Sequence, residues 1–140
     1  MIGKSVTAGL IALAVVSAPA FAQQAKSSLT SSDRRMADDH GKANRELAEL
    51  AASKQVQRPD KPSRKTQREK DRLAKRSGAA FDREYVKMMV GDHEKDVAAF
   101  RRGSQAAKDS ELAAWASKTL PTLEDHLQMI RQVQRQLAKK

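Results

Sequence analysis

The sequence predicts an all-α protein, a helical bundle with three main helices and one short polar helix. Three observations lead to this prediction. Apolar residues recur every three or four positions along each long segment. The chain has 4% aromatic residues and no cysteine, so its core must consist mainly of Leu, Met, Ala and Val. Helix-capping residues and prolines divide the segments from one another.

The first 22 residues have the three-part pattern of a secretory signal peptide. Lys4 supplies a positive charge, and an apolar run over residues 6–16 follows it. This run is shorter than the roughly 20 residues that span a bilayer. Ala20-Phe21-Ala22 is a small-x-small cleavage site. We therefore expect export, to the periplasm or otherwise into the envelope, with cleavage after Ala22. An uncleaved N-terminal anchor is the alternative. Residues 23–33 are polar and are expected to form a flexible lead.

The helical domain is predicted to cover residues 34–140 and to begin with a helix over residues 34–53. Ser32 or Asp33 can cap its N-terminus. Two prolines between residues 55 and 62 end it. Its apolar stripe consists of Met36, His40, Ala43, Leu47, Leu50 and Ala51.

A short and very polar second helix is predicted over residues 64–76. Ser63 can cap its start, and Gly78 fits the position just after its end. Its apolar content is little more than Leu73 and Ala74. Basic side chains dominate it, and they form either a solvated connecting helix or an anion-binding patch. These basic residues are Arg64, Lys65, Arg68, Lys70, Arg72, Lys75 and Arg76.

A third helix is predicted over residues 79–102, followed by a turn to Asp109. Asp109 or Ser110 can cap a fourth segment that runs to Lys140. Pro121 is expected to kink or restart this segment, with Thr119 as the cap of the restarted helix. The buried side of the third helix is predicted from Phe81, Tyr85, Met88, Ala99 and Phe100. That of the fourth is predicted from Leu112, Trp115, Leu123, Leu127, Ile130, Val133 and Leu137.

Two of the predicted helices carry the same heptapeptide, Met-x-x-Asp-His-x-Lys. It covers residues 36–42 and 89–95, and the fourth helix repeats part of it. An aspartate precedes each of the three histidines of the chain. Residues three or four apart share a helix face, whereas adjacent residues point about 100° apart. The set consists of His40, His93 and His126, the aspartates Asp39, Asp92 and Asp125, and the methionines Met36, Met89 and Met129.

Three interpretations of the Asp-His set remain open. The histidines can be core groups that the aspartates hydrogen-bond across helices, with His93 nearer the edge. They can converge on a transition metal, since imidazole suits Zn, Cu and Fe and the methionine thioether suits Cu(I). The aspartates and methionines would then flank the ligands, because a carboxylate often orients a ligating histidine. They can also bind a small molecule or respond to pH.

No motif in the chain predicts an enzyme. Di-iron bundles use Glu-x-x-His, but Ala37, Val90 and Leu123 stand three residues before the histidines. There is no His-Glu-x-x-His, Gly-x-Ser-x-Gly or phosphate-binding loop. The formal net charge of +10 would suit nucleic acid, but export and the lack of a nucleic-acid motif argue against that partner. Weak association with anionic envelope polymers is the expected consequence of the charge.

Four segments resemble, in their order and spacing, an exported bacterial family called domain of unknown function 4142. They are residues 36–44, 73–82, 85–93 and 118–126. The resemblance covers roughly residues 36–129 and implies a ferritin-like four-helix bundle behind an N-terminal signal. It implies no established activity, and it places the three Asp-His pairs at family motif positions whose role is unassigned.

One departure from the family pattern concerns the first helix. Members usually have a long helix before the first Asp-His segment, whereas only residues 23–35 fill that place here. The bundle is therefore expected to be incomplete and to expose an apolar groove. A second copy of the chain or another helical partner would cover that groove.

The predicted function is an exported envelope protein that binds a transition metal or small ligand through the Asp-His positions. The alternative is a noncatalytic structural or interaction protein whose buried Asp-His pairs fix the register of the helices.

Overall fold

The computed structural model describes residues 29–57, 59 and 61–139, which form four helices and no strand. These are α1 (Leu29–Ser53), α2 (Arg64–Ala74), α3 (Gly78–Ala106) and α4 (Ser110–Leu137). The all-α prediction of three long helices and a short polar one is thus confirmed. The predicted signal peptide and its cleavage after Ala22 lie outside the described residues. Helix α1 begins five residues before its predicted start, so residues 29–33 of the predicted lead are helical.

Two predicted helix caps form hydrogen bonds. The Ser63 side chain accepts a bond from the amide of Thr66 at the start of α2. The Asp109 carboxylate accepts bonds from the amides of Glu111 and Leu112 at the start of α4. Each cap satisfies amides that have no partner within the helix. Gly78, with a positive φ of 55°, begins α3, where its missing side chain permits the left-handed conformation.

Helix α4 continues through Pro121, and the predicted restart at this position was wrong. Proline removes the bond to the carbonyl of Ser117, but both residues are exposed, so water can bond that carbonyl. Thr119 is not a cap. It is buried in the helix, and its hydroxyl donates to the carbonyl of Trp115 at 2.8 Å. Helix α3 likewise continues to Ala106, past its predicted end.

Replacing Pro121 tests what this interruption costs. The change Pro121→Ala restores a backbone bond at an exposed position and favours the helix. It is expected to raise the free energy of unfolding by about 1–2 kcal/mol. Urea unfolding of the two proteins at neutral pH measures the difference. An equal or lower stability of the variant would contradict this account, because it would show that Pro121 does not destabilise α4.

The long helices pack around α4. Helices α3 and α4 form an antiparallel hairpin, with ion pairs Arg101–Glu124 at 2.6 Å and Arg131–Glu94 at 2.7 Å across it. Helix α1 is also antiparallel to α4, since Glu46 pairs with Lys118 near the middle and Lys54 pairs with Asp109 at the end. No Cα atom of α1 in the described chain comes within 8 Å of one in α3. These two parallel helices therefore meet only through side chains.

The core lies along α3 and α4 and is largely the predicted one. Phe100, Leu123 and Ile130 are almost fully buried, as is Leu73, which anchors α2. On α3 the buried face is rotated from the predicted one. Met88 and Ala99 are only partly buried, and the positions that replace them are Val86, Met89, Val90 and Val97. None of the described helices is long and apolar enough to cross a membrane.

Candidate metal centre

The three histidines come together between the three long helices. His40 lies on α1, His93 on α3 and His126 on α4. Their ring centroids are 5.3, 5.2 and 5.7 Å apart, so the rings form a nearly equilateral triangle. One ring nitrogen from each histidine lies within 4.8 Å of the other two. The sequence predicted convergence of these residues as one of three interpretations, and the geometry brings all three to one point.

Helical spacing explains why each ring points inward. His40 follows the buried Met36 by four residues, and His93 follows the buried Met89 by four. His126 stands three residues after the buried Leu123 and four before Ile130. Each histidine is thus the polar member of an otherwise apolar stripe. His93 was expected near an edge of the bundle, but only 3% of it is exposed, because it shares the buried face of α3.

Hydrogen bonds fix the orientation of two of the rings. His93 Nδ1 donates to the backbone carbonyl of Met89 at 2.9 Å. His126 Nε2 donates to Oδ2 of Asp39, on α1, also at 2.9 Å. With these nitrogens protonated, the lone pairs lie on His93 Nε2 and on His126 Nδ1. His126 Nδ1 is buried and has no hydrogen-bond partner among the described residues.

The third ring contacts one of these lone pairs. His40 Nε2 lies 3.2 Å from His93 Nε2. Because His93 carries its proton on the other nitrogen, His40 donates in this contact when no ion is bound. An ion could take the place of that proton and be bound by both nitrogens.

Burial favours the neutral forms of His40 and His93. The pKa of His40 is lowered from 6.5 to about 4, mainly by burial and further by the neighbouring His93 and His126 rings, against the opposing effect of Asp39. Burial is also the main reason that the pKa of His93 is lowered. Rings with such pKa values are unprotonated at neutral pH. Their lone pairs are therefore available to a metal without first losing a proton to solvent.

One nitrogen–nitrogen distance in the cluster matches the geometry of a tetrahedral transition-metal site. Zn–N bonds of about 2.0–2.1 Å in a tetrahedron place two ligand nitrogens roughly 3.3 Å apart. The distance of 3.2 Å between His40 Nε2 and His93 Nε2 is close to this value. The bonds from Asp39 and from the Met89 carbonyl are of the kind that holds the other nitrogen of a ligating histidine. Three histidines leave a fourth coordination position for water or a small ligand.

The remaining members of the Asp-His set lie in different surroundings. Asp39 bonds His126 rather than its own neighbour in sequence. Asp92 pairs with Lys95 on α3 at 3.1 Å. Asp125 is largely exposed and lies 3.9 Å from Arg35. Met36 and Met89 are buried in the core, and Met129 packs partly buried against it.

Two features of the site had no signal in the sequence. The backbone carbonyl of Met89 becomes a partner of His93 only through the geometry of the helix. Asp96 lies one turn beyond His93 on α3, and burial, together with the nearby charge of Asp92, raises its pKa to about 6. The burial of Asp96 depends on how the helices pack together, which the local sequence pattern does not reveal.

His40 and Asp96 give the metal-free protein opposing responses to acid. The folded state binds fewer protons than the unfolded chain at His40, so this residue destabilises the fold as pH falls from 6.5 towards 4, by up to about 3 kcal/mol. His93 acts in the same direction. Asp96 acts oppositely, because its raised pKa stabilises the fold as pH falls from 6 towards 3.8.

The variant Asp96→Asn is therefore expected to lose stability on acidification where the wild type changes little. Urea unfolding without metal at pH 6.5 and pH 4.5 measures this. Adding His40→Gln, which removes the titrating ring, should reduce the loss. Equal pH dependence in the wild type and the Asp96→Asn variant would contradict the account of the two pKa shifts.

Comparison with known proteins gives the family of the chain. A family model described as "Domain of unknown function (DUF4142)" matches residues 21–133. No curated protein and no solved structure matches the chain. The match covers most of the 140 residues and includes all three histidines and their preceding aspartates. The predicted resemblance is confirmed, and this chain belongs to the DUF4142 family.

Proposed function

We propose that this protein binds one transition-metal ion through His40, His93 and His126. The observation that supports the proposal is the convergence of three imidazoles from three helices, with one nitrogen of each within 4.8 Å of the others. A purely apolar interior would be the simpler way to join these helices. Here His126 Nδ1 is instead buried without a partner among the described residues, which costs free energy unless something bonds it.

The ligand set restricts the metal by its chemistry. Three imidazole nitrogens suit zinc and copper, and also iron, whereas calcium and magnesium prefer oxygen ligands. The chain has no cysteine, so no thiolate can complete the site. Zinc(II) and copper(II) are the best match, with an exchangeable fourth ligand. The carboxylate beside the cluster, Asp39, is engaged in a hydrogen bond with His126, so the proposed role is binding rather than catalysis.

The proposal places the protein outside the cytoplasm. The signal-peptide pattern of residues 1–22 supports export, to the periplasm or another part of the envelope. Export would expose the site to the metal ions of that compartment. Storage, transfer or sensing of such an ion are the roles that a noncatalytic site of this kind can serve.

A structural role is the second candidate, and one observation favours it. The bond from His126 to Asp39 joins α4 to α1 at 2.9 Å without any ion. Together with the contact between His40 and His93, it can hold the three helices in register by itself. On this alternative the histidines are needed for folding and not for ligand binding.

Metal titration distinguishes the two candidates. The wild type should bind one zinc ion per chain at pH 7.5, measured by competition with a chromophoric chelator. The variant His40→Ala should bind at least about 100-fold more weakly, while circular dichroism shows that it stays helical. His40 is the appropriate choice because it is the least buried of the three rings, so its removal disturbs the core least.

The matched control is Met129→Leu, which keeps an apolar residue of similar size beside the site. Zinc affinity should not change, whereas a lower affinity for copper(I) alone would reveal thioether coordination. Wild-type protein that takes up neither zinc nor copper would leave the structural role as the explanation. Uptake that is equal in wild type and His40→Ala would place the ion elsewhere.

A further inference from the structure

Helix α2 presents a row of basic side chains to solvent. Consecutive helical residues are about 100° apart, so Arg64, Lys65, Arg68 and Arg72 fall within an arc of about 100°. We call these four residues the α2 basic face. Leu73, the buried residue of α2, points about 130° from the centre of this arc. The α2 basic face is therefore turned away from the bundle, and all four residues are exposed.

Local ion pairs neutralise this face only in part. Lys65 pairs with Glu69 at 3.9 Å, and Arg72 pairs with Glu84 of α3 at 2.9 Å. Arg64 and Arg68 form no ion pair with any described residue. Lys75 and Arg76 follow directly after the helix and extend the positive charge at its C-terminal end. Because exposed surface pairs contribute little, an external anion can compete for Lys65 and Arg72 as well.

The lack of apolar residues on this face argues against a membrane as the partner. Helices that lie in a bilayer interface insert Leu, Phe or Trp side chains below the headgroups. The only large apolar residue of α2 is Leu73, and it is 2% exposed because the bundle already covers it. Binding through the α2 basic face must therefore be electrostatic, without insertion into a bilayer.

The types and spacing of the residues favour phosphate groups in a chain. Arg64, Arg68 and Arg72 are each one helical turn apart, and together they extend along about 12 Å of helix. Arginine presents a planar fork that binds phosphate with two hydrogen bonds. The segment 64–76 has no aromatic residue on which a base could stack, and stacking is the usual means of binding single-stranded nucleic acid.

We propose that the α2 basic face binds a linear phosphate polymer that carries no bases. This inference concerns a surface separate from the histidine cluster and does not depend on metal binding. The affinity of the α2 basic face for such a polymer should fall steeply as the salt concentration rises, because each phosphate contact releases a condensed counterion.

Charge reversal tests the proposal with inorganic polyphosphate as the probe. The double variant Arg64→Glu, Arg68→Glu is expected to bind at least about tenfold more weakly. Its slope of log affinity against log salt should be smaller by about 1 to 2. The matched control is Lys87→Glu, Lys108→Glu, which changes the net charge equally at exposed positions outside α2. This control should keep most of the affinity, and both variants should keep the wild-type helicity and zinc uptake.

Three results would overturn the proposal. Equal losses in the two double variants would mean that net charge alone attracts the polymer. Tighter binding of the wild type to vesicles rich in phosphatidylglycerol, or to single-stranded DNA, would identify a different partner. Absence of binding to polyphosphate at low salt would remove the α2 basic face as a site.

Discussion

Zinc is expected to slow amide hydrogen exchange in α1 by about 100-fold when free zinc is at 100 times its dissociation constant. The reason is that an ion bound by all three histidines joins α1 to the hairpin of α3 and α4. Opening of α1 would then require release of the ion. Exchange in α3 and α4 should slow less wherever their amides exchange through local openings that leave the ion bound, because zinc suppresses only the openings that release it.

The packing of α1 makes it the helix most sensitive to the ion. Among its described side chains only Met36 and Ala43 are buried apolar groups. It approaches α3 through side chains alone, and the contact between His40 and His93 is the link that the ion would replace. Little apolar burial opposes its separation from α4, so its opening free energy in the metal-free protein is expected to be low.

Hydrogen exchange followed by mass spectrometry resolves the helices in one experiment. The variant His40→Ala is the control, and zinc should leave its α1 exchange unchanged. Protection that appears equally in all helices would indicate a general stabilisation of the fold. Protection of α3 and α4 without α1 would contradict a site that includes His40.

The change Asp39→Asn is expected to weaken zinc binding by about 10- to 100-fold. Asp39 accepts a hydrogen bond from His126 Nε2, which leaves the buried Nδ1 as the nitrogen without a partner among the described residues. An asparagine can still accept this bond through its carbonyl oxygen, but it lacks the negative charge that makes the ring a stronger donor to the metal. Affinity should therefore fall, while the fold and the stoichiometry of one ion per chain are kept.

Asp125 provides the matched control for this prediction. It precedes His126 in the sequence, as Asp39 precedes His40, and both carboxylates lie within 4 Å of Arg35, but Asp125 is more exposed, and only Asp39 bonds His126. The change Asp125→Asn should leave zinc affinity within about twofold of wild type, since surface charges are screened by salt. Equal losses in the two variants would show that net charge, and not the bond to His126, sets the affinity.

Local patterns were sufficient to predict that the four helices exist and to predict two of their caps. Ser63 and Asp109 each cap a helix through their nearest amides, which is a property of a few consecutive residues. The effect of Pro121 was harder to predict, because it depends on the position of the proline relative to solvent. Its ring lies on the exposed side of α4, so packing on the other side keeps the helix continuous.

The histidine cluster was predictable as a set of residues, but its internal bonds were not. The repeated Met-x-x-Asp-His pattern marks His40 and His93, and the helical stripes direct these rings inward. Which aspartate bonds which ring depends on the relative heights of α1 and α4. That offset brings Asp39 to His126 and leaves Asp92 and Asp125 near basic residues. A partner or second copy that completes the bundle stays a prediction.

X-ray absorption spectroscopy of the zinc-loaded protein tests the central claim most directly, because it reports the atoms bonded to the ion. The account predicts three imidazole nitrogens at about 2.0–2.1 Å and one further light ligand. The His40→Ala variant should bind no ion with this signature. A coordination shell made of oxygen atoms only, or a shell with fewer than two imidazoles, would contradict a metal site formed by His40, His93 and His126.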